Sequence, residues 1–304
     1  MREQWSFVEH EPSKVGKLYL VATPIGNLED MTFRAVNTLK SVDCIAAEDT
    51  RHSRKLLTHF EIHTPELLSY HEHNKDTMGP KLIERLLNGK QIALVTDAGT
   101  PAISDPGYEL VQLAVEADIP VVPIPGPSAV ISSLIISGLL PQPFVFLGFL
   151  PRDKKPAFEW LDRSKHFPCS VVFYEAPHRL KQSLQRIQER LGDRSVAVVR
   201  ELTKKHEHVL RGSISEVLDH LEVSAPRGEY CIVVGPSTGI EQATIGDDQN
   251  GLATGEWWST LSIEQHQEHF VSKGNPPKEA MRLVAKDRGL KKRDVYQALL
   301  NENE

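Results

Sequence analysis

The stretch "LYLVATPIGNLED", Leu18 to Asp30, runs from apolar and β-branched residues into a turn that leads toward a helix. A strand feeding a helix through a tight turn is where nucleotide-binding folds keep a glycine-rich phosphate cradle. This turn holds a single glycine, Gly26, between Ile25 and Asn27 and close to Pro24. It has the place of a phosphate loop without its composition.

Around it, "KLYLVA", "VDCIAAED", "QIALVT" and "IPVVPI" read as strands of a first lobe, separated by helix-length segments. In "TMGPKLIERLLNGK", Leu82, Ile83, Leu86 and Leu87 make one apolar stripe and Gly89 supplies a helix stop. Such alternation predicts an α/β layer with a largely parallel sheet. The rhythm changes after "PGPSAVISSLIISGLLPQP", which reads as a buried helix and a proline-rich crossing. The runs "FVFLGFL", "CSVVFYEA", "SVAVVRELT", "EHVLRG" and "GEYCIVVG" then predict a second α/β lobe with more antiparallel pairing. The expected plan is an N-terminal extension over 1–16, a first lobe over 17–140 and a second over 141–235. A polar linker over 236–255 and a helical, helix-turn-helix-like tail over 256–304 complete it.

The composition, 40% hydrophobic and 25% charged, is that of a soluble globular protein. A net charge of -6 argues against nucleic acid, but the distribution argues for it. Residues 151–211 carry 14 basic and 8 acidic side chains, 212–272 carry 1 and 10, and 273–294 carry 8 and 3, so two basic blocks sit in an acidic chain. Each block also has a plain reading as a solvated helix face. Cys44, Cys169 and Cys231 fall in apolar runs without paired spacing, which fits buried thiols in a reducing cytosol. Met1 to Gly16 lacks the apolar core of a signal peptide, and the apolar region Ala129–Leu140 is too short to span a bilayer, so a cytoplasmic protein without membrane contact is expected.

Two further loops follow strands. "VTDAGTPAISDPG", Val95 to Gly107, precedes a helix expected to start with Asp105 as N-cap and Pro106 in its first turn. "PIPGPSAV", Pro123 to Val130, delivers Ser128 and Ala129 to a helix start, where Ser128 is equally readable as a cap. Loops at consecutive carboxyl strand ends line the ligand crevice of an α/β sheet. The pairs His71/His73 and His206/His208 each permit chelation, but no further spaced ligand completes a set, so no metal is expected.

In order along the chain, "TPIGNLED", "AEDTRHSRKLL", "DAGTPAISDPG", "PGPSA", "FYEAPHRL", "REL" and "GEY" resemble the S-adenosylmethionine (SAM)-dependent tetrapyrrole methylase superfamily, and within it the branch that methylates small-subunit ribosomal RNA. The resemblance covers residues 17 to about 300. It implies a two-lobed fold with SAM in the cleft between the lobes, which answers why the first loop lacks a phosphate cradle: SAM carries no phosphate. It implies cofactor contacts from Pro24, Ile25, Gly26, Asp97, Gly99, Thr100, Ile103, Ser104, Ser128 and Ala129 on one side, and from Tyr174, Glu175, Ala176, Glu229 and Tyr230 on the other. The implied reaction is 2′-O-methylation of a cytidine ribose in the decoding region of 16S rRNA, on the assembled small subunit, by a homodimer with the Ala129–Ile136 helix near its interface.

A base would assist attack by a weakly nucleophilic hydroxyl. Asp49 and Glu201 are the candidates, with Arg51, Arg200, Lys204 and Lys205 placed to hold phosphate; each also has a reading as a structural ion-pair member. The tail "NPPKEAMRLVAKDRGLKKRDVYQALL" reads as two helices joined near Arg288-Gly289, with Ala280, Leu283, Val284, Leu290, Val295, Ala298 and Leu299 as a small core. Lys286, Arg288, Lys291, Lys292 and Arg293 are candidate RNA contacts at its turn. Two rivals remain at this stage: C-methylation of a tetrapyrrole, which the basic tail opposes, and a non-catalytic RNA-binding assembly factor, which the intact cofactor loops oppose.

Overall fold

Strand β1 (Leu18–Val21) is an interior strand of the first lobe's sheet, paired in parallel on both sides. The computed structural model describes residues 3–4, 14–63, 66–165, 167–236, 258 and 261–301. Most of the expected N-terminal extension and the linker from residue 237 onward lie outside these. The chain divides into two compact units, residues 1–238 and 239–304.

In the first lobe β1 is joined by β2 (Cys44–Ala47), β3 (Leu67–Ser69), β4 (Ile92–Val95) and β5 (Val121–Ile124), in the order β3-β2-β4-β1-β5 with every pair parallel. Its helices are α1 (Phe33–Ser41), α2 (Thr50–His59), α3 (Lys75–Leu87), α4 (Tyr108–Glu116) and α5 (Ala129–Ile136). The strands are apolar throughout because helices cover both faces. Ile45 and Ala47 pack with Ala35, Leu39 and Leu57 of α1 and α2, whereas Cys44 and Ala46 pack with Leu82, Leu86, Leu110 and Ala114 of α3 and α4. Helix α3 ends at Leu87 and Gly89 follows in the left-handed region at φ 84°, the stop that the sequence signals.

The second lobe comprises β6 (Phe144–Phe149), α6 (Lys154–Ser164), β7 (Ser170–Glu175), α7 (Leu180–Leu191), β8 (Ser195–Arg200), β9 (His208–Ser213), α8 (Ile214–Val223) and β10 (Tyr230–Val234). The sheet order is β6-β7-β10-β8-β9; β6 and β7 are parallel and the other pairs antiparallel. One face packs on α6, α7 and α8 through Leu161, Leu184, Ile187 and Val217. The other receives α5, whose Val130 and Leu134 meet Val172, Ala197, Val199, Cys231 and Val233. Helix α5 is thus not the fully buried helix that its composition suggests. Ile131 and Ile135 on its far side are 47% and 69% exposed, because only one face meets the second sheet.

One helix start differs from expectation. Helix α4 begins at Tyr108 after Gly107 at φ 145°, so Asp105 does not cap it. Helix α7 begins at Leu180, leaving Pro177 in the turn before it. All three cysteines are buried free thiols. Among the described residues no helix is long and apolar enough to cross a membrane.

The second unit holds three described helices, α9 (Ile263–Ser272), α10 (Pro277–Asp287) and α11 (Lys292–Asn301). Ala280, Val284, Ala285 and Val295 are buried, with Ile263, Phe270, Met281 and Leu299 packed against that core. Leu290, expected in the core, is 40% exposed, as it follows Gly289 in the turn between α10 and α11.

Candidate active site

Four loops leave the carboxyl ends of β1, β2, β4 and β5 and are laced together. Thr23 and Gly99 exchange backbone hydrogen bonds, Thr23 N to Gly99 O at 2.9 Å and Gly99 N to Thr23 O at 3.0 Å. The buried Thr23 hydroxyl donates to Thr96 O at 3.1 Å, and the Thr100 hydroxyl to Pro127 O at 3.4 Å. Gly99 sits at φ 80°, and a Cβ there would stand 3.3 Å from Ile25 Cγ2. The glycine therefore lets the two loops close on each other.

Against these loops stands the second lobe, and between them lies a cavity of about 400 Å³. That volume suits a small organic ligand. Of the expected cofactor residues, Ile25, Gly99, Thr100, Ile103, Ser104, Ser128 and Ala129 line the first-lobe side. Tyr174, Glu175, Ala176, Glu229 and Tyr230 line the other. Pro24, Gly26 and Asp97 do not line it. Gly26 instead meets the second lobe: a Cβ there would lie 2.3 Å from Lys204 Cγ. Ser128 occupies the N-cap position of α5, yet its side chain makes no capping bond. Glu175 is 2% exposed and bonded by Ala176 N at 2.9 Å and Arg179 Nε at 3.3 Å, so its carboxylate braces the turn after β7.

The acidic end of the cavity was only partly legible. Thr96 donates to Glu48 Oε2 at 2.8 Å, and Asp49 N donates to Asp97 Oδ1 at 3.2 Å. Burial, then the charge of Glu48, raises the Asp97 carboxyl above its ordinary value. Asp105 faces the cavity itself. Burial, then Glu48, pushes its carboxyl up to about 6. The signal for Asp105 was the second aspartate of "DAGTPAISDPG", which its neighbour Pro106 disguised as a helix cap.

The two candidate bases are both tied down. Asp49 caps α2, accepting from Arg51 N at 2.8 Å, and pairs with the Arg51 guanidinium at 2.8 Å. That side-chain pairing, with the cap, holds its carboxyl well below the usual range. Glu201 accepts from Glu229 N at 2.9 Å and Lys204 Nζ at 3.1 Å. Burial pulls its carboxyl upward, but these two donors outweigh it and the net shift is downward. Neither lines the cavity. Lys204 does, and it also reaches Glu229 Oε2 at 2.8 Å. The turn carrying it is strained: Glu201 and Thr203 have φ 50° and 64°. Arg200 donates to Arg227 O at 2.7 Å, and Lys205 is exposed.

In the second unit Lys286, Lys291, Lys292 and Arg293 are exposed. Arg288 is turned inward, over the Trp258 ring and donating to Leu261 O, Trp258 O and His266 Nδ1. Among the described residues no group of three His, Cys, Asp or Glu side chains is disposed to hold a metal.

Residues 17–218 match the family described as tetrapyrrole (corrin/porphyrin) methylases. The chain is 52% identical, over 98% of its length and 98% of the relative's, to ribosomal RNA small subunit methyltransferase I of Bacillus subtilis (strain 168). It is 49% identical, over 97% and 98%, to the protein of that name in Halalkalibacterium halodurans. In fold it is similar to uroporphyrin-III C-methyltransferase from Thermus thermophilus, solved with S-adenosyl homocysteine, at TM-score 0.52 and 18% identity over 74% of this chain and 100% of that one.

Proposed function

The chain belongs to the tetrapyrrole (corrin/porphyrin) methylase family, and from that premise we propose that it methylates the ribose 2′-hydroxyl of a cytidine in the decoding region of 16S rRNA. It is a SAM-dependent methyltransferase. The acceptor in this reading is the assembled small subunit, and the working form is a cytoplasmic homodimer with the exposed side of α5, Ile131 and Ile135, at the contact.

One observation carries the reading: similarity to the rRNA methyltransferases extends over 98% of the chain, tail included, whereas the family match ends at residue 218. The cavity fits the cofactor chemically. Ile25, Ile103, Val130 and Leu202 give apolar walls for a nucleoside and thioether. Asp105 offers a half-buried carboxylate to a cationic group, and the start of α5 at Ser128 and Ala129 offers N–H groups to a carboxylate. When bound, SAM supplies a methyl on positively charged sulfur; the ribose oxygen takes it, the C–S electron pair stays on sulfur and the hydroxyl proton passes to solvent.

The chain's own contribution is placement. The Thr23–Gly99 lacing fixes one wall, and the Lys204 contact with Gly26 sets how closely the second lobe approaches it. Holding reactants in line supplies about 7–11 kcal/mol in favourable cases, more than a positioned base adds. This suits a site whose nearby carboxylates Asp49 and Glu201 are weak bases.

The test is transfer of labelled methyl from SAM to unmodified small subunits, with naked 16S rRNA alongside, followed by digestion to nucleosides. Label in 2′-O-methylcytidine, greater on the subunit, is expected. Label in a base, or none despite SAM binding, would overturn the reading.

A further inference from the structure

Helix α2, TRHSRKLLTH, carries three Lys or Arg side chains and two His in ten residues, with no carboxylate. Its inner side holds the buried Ser53 and Leu57, with Leu56 and Phe60 packed on the same core. Its outer side holds Arg51, Arg54, Lys55, Thr58 and His59, all exposed. The spacing i, i+3, i+4, i+7, i+8 sets these five on one stripe, about 12 Å long at 1.5 Å per residue.

Cations on a helix surface are ordinarily a solvated face, but the rest of the first lobe treats its cations differently. Residues 1–150 carry 18 acidic and 12 basic side chains, so carboxylates are in excess. Lys75 pairs with Glu72 and Glu109 at 2.6 and 2.5 Å, Arg85 with Glu66, and Lys90 with Asp43 at 3.0 Å. On α2 Arg51 pairs with the capping Asp49, yet its side chain stays 88% exposed. Arg54 and Lys55 meet no carboxylate among the described residues. A helix face that gathers cations and excludes acids, in a lobe rich in acids, presents a local positive field to an anionic partner.

The place of the helix fits a polyanion. Glu48 accepts from the Thr96 hydroxyl at 2.8 Å and Asp49 N donates to Asp97 Oδ1 at 3.2 Å, so the first turn of α2 adjoins the acidic end of the cavity. Carboxylates there repel phosphate, and cations beside them offset the repulsion. From that end the stripe leads away along the outside of the lobe. We propose that the outer face of α2 is a docking surface for the RNA backbone, holding phosphates that flank the methylated nucleotide, outside the cleft. This rests on the RNA reading above. Phosphate contacts fix register and orientation without reading sequence, so this face positions the RNA and leaves the choice of nucleotide to other contacts.

The test is the double variant Arg54→Gln, Lys55→Gln in the full chain, with Arg51 left in place because it pairs with Asp49. One control, Arg54→Lys with Lys55→Arg, keeps both charges. The other, Lys81→Gln, removes an exposed cation from α3 on the opposite face of the sheet. Filter binding of 16S rRNA across a salt series, methyl transfer to unmodified small subunits and SAM affinity by calorimetry are measured on each. The glutamine variant should make the slope of log affinity against log salt shallower by about 1.4, which is two single-stranded phosphate contacts at about 0.7 each. It should raise KM for the subunit about fivefold and leave kcat and SAM affinity within twofold. Both controls should match wild type. An unchanged slope and KM would overturn the docking surface. Weaker binding of naked RNA at unchanged KM would be adventitious polyanion binding only, and a raised KM at unchanged slope would assign the face to a protein of the subunit; either overturns it. An equal change in Lys81→Gln, or loss of SAM affinity in the glutamine variant, would overturn it as well. A wild type that neither binds 16S rRNA nor methylates the subunit would instead sink the RNA reading itself.

Discussion

Asp105 is the residue on which the cavity's chemistry turns. With its folded carboxyl pushed up to about 6 by burial first and Glu48 second, ionising it in the empty fold costs stability. That stability is full below the ordinary aspartate value and is lost as pH rises through 6. A cationic ligand reverses the preference, because it favours the carboxylate. SAM affinity should therefore rise about tenfold between pH 5 and pH 7.5 in calorimetry. Asp105→Asn should flatten this profile, and the product, neutral at sulfur, should show a shallower one. Gly228 tests the opposite wall. It sits at φ 81°, and a Cβ there would lie 2.4 Å from Glu201 Oε1. Gly228→Ala should cost about 1–3 kcal/mol in denaturant unfolding through backbone strain and displacement of Glu201. The sequence made the loops legible at this scale but not each side chain's direction. Asp97 and Asp105 stand in one motif, yet only Asp105 faces the cavity, because Glu48 and Asp49 from another strand end engage the region of Asp97.

Among the elements, those with strong periodicity or long apolar runs were readable, and those set by tertiary context were not. Strand β3 has three residues at the sheet edge, too few to carry an alternation. Helix α9 is polar along most of its length, but its start was written in the sequence: Ser262 and Gln265 form a reciprocal capping box. That helix also contains the buried His266, stacked on Trp258 at 5.6 Å and 3.2 Å from Asp287. Burial lowers its imidazole below the ordinary value of 6.5, although Asp287 opposes the shift. The sign follows: a depressed folded value gives stability that is present above 6.5 and is lost as pH falls below it. Hydrogen-exchange protection factors of α9 and α10 should drop between pH 7.5 and pH 5.5, with no such drop in the lobe sheets. His266→Gln should remove the pH dependence; an unchanged slope in that variant would assign it to other groups.

At the scale of the whole molecule, the charge blocks of the sequence separate by what the fold does with them. The block at 151–211 is largely absorbed. Arg190 pairs with Asp162, Lys181 with Glu222, Lys154 with Glu189, and Arg194 is 4% exposed with its guanidinium on the carbonyls of Leu191 and Lys165. The block at 273–294 loses Arg288 to the interior but leaves Lys286, Lys291, Lys292 and Arg293 on the surface of the helical unit. Sequence could count these charges but not assign them, since pairing depends on residues brought together from distant helices. The similar uroporphyrin-III C-methyltransferase structure is matched over its whole length by 74% of this chain. If these four cations meet RNA phosphates, each releases counterions, and the slope of log affinity against log salt reports their number. Replacing all four by glutamine in the full chain should make that slope shallower by about 3 for single-stranded contacts, with SAM affinity unchanged. Filter binding of 16S rRNA across a salt series measures it. A slope identical to wild type would confine the helical unit to a structural role and place RNA affinity in the lobes, where Lys205 and Arg51 remain exposed.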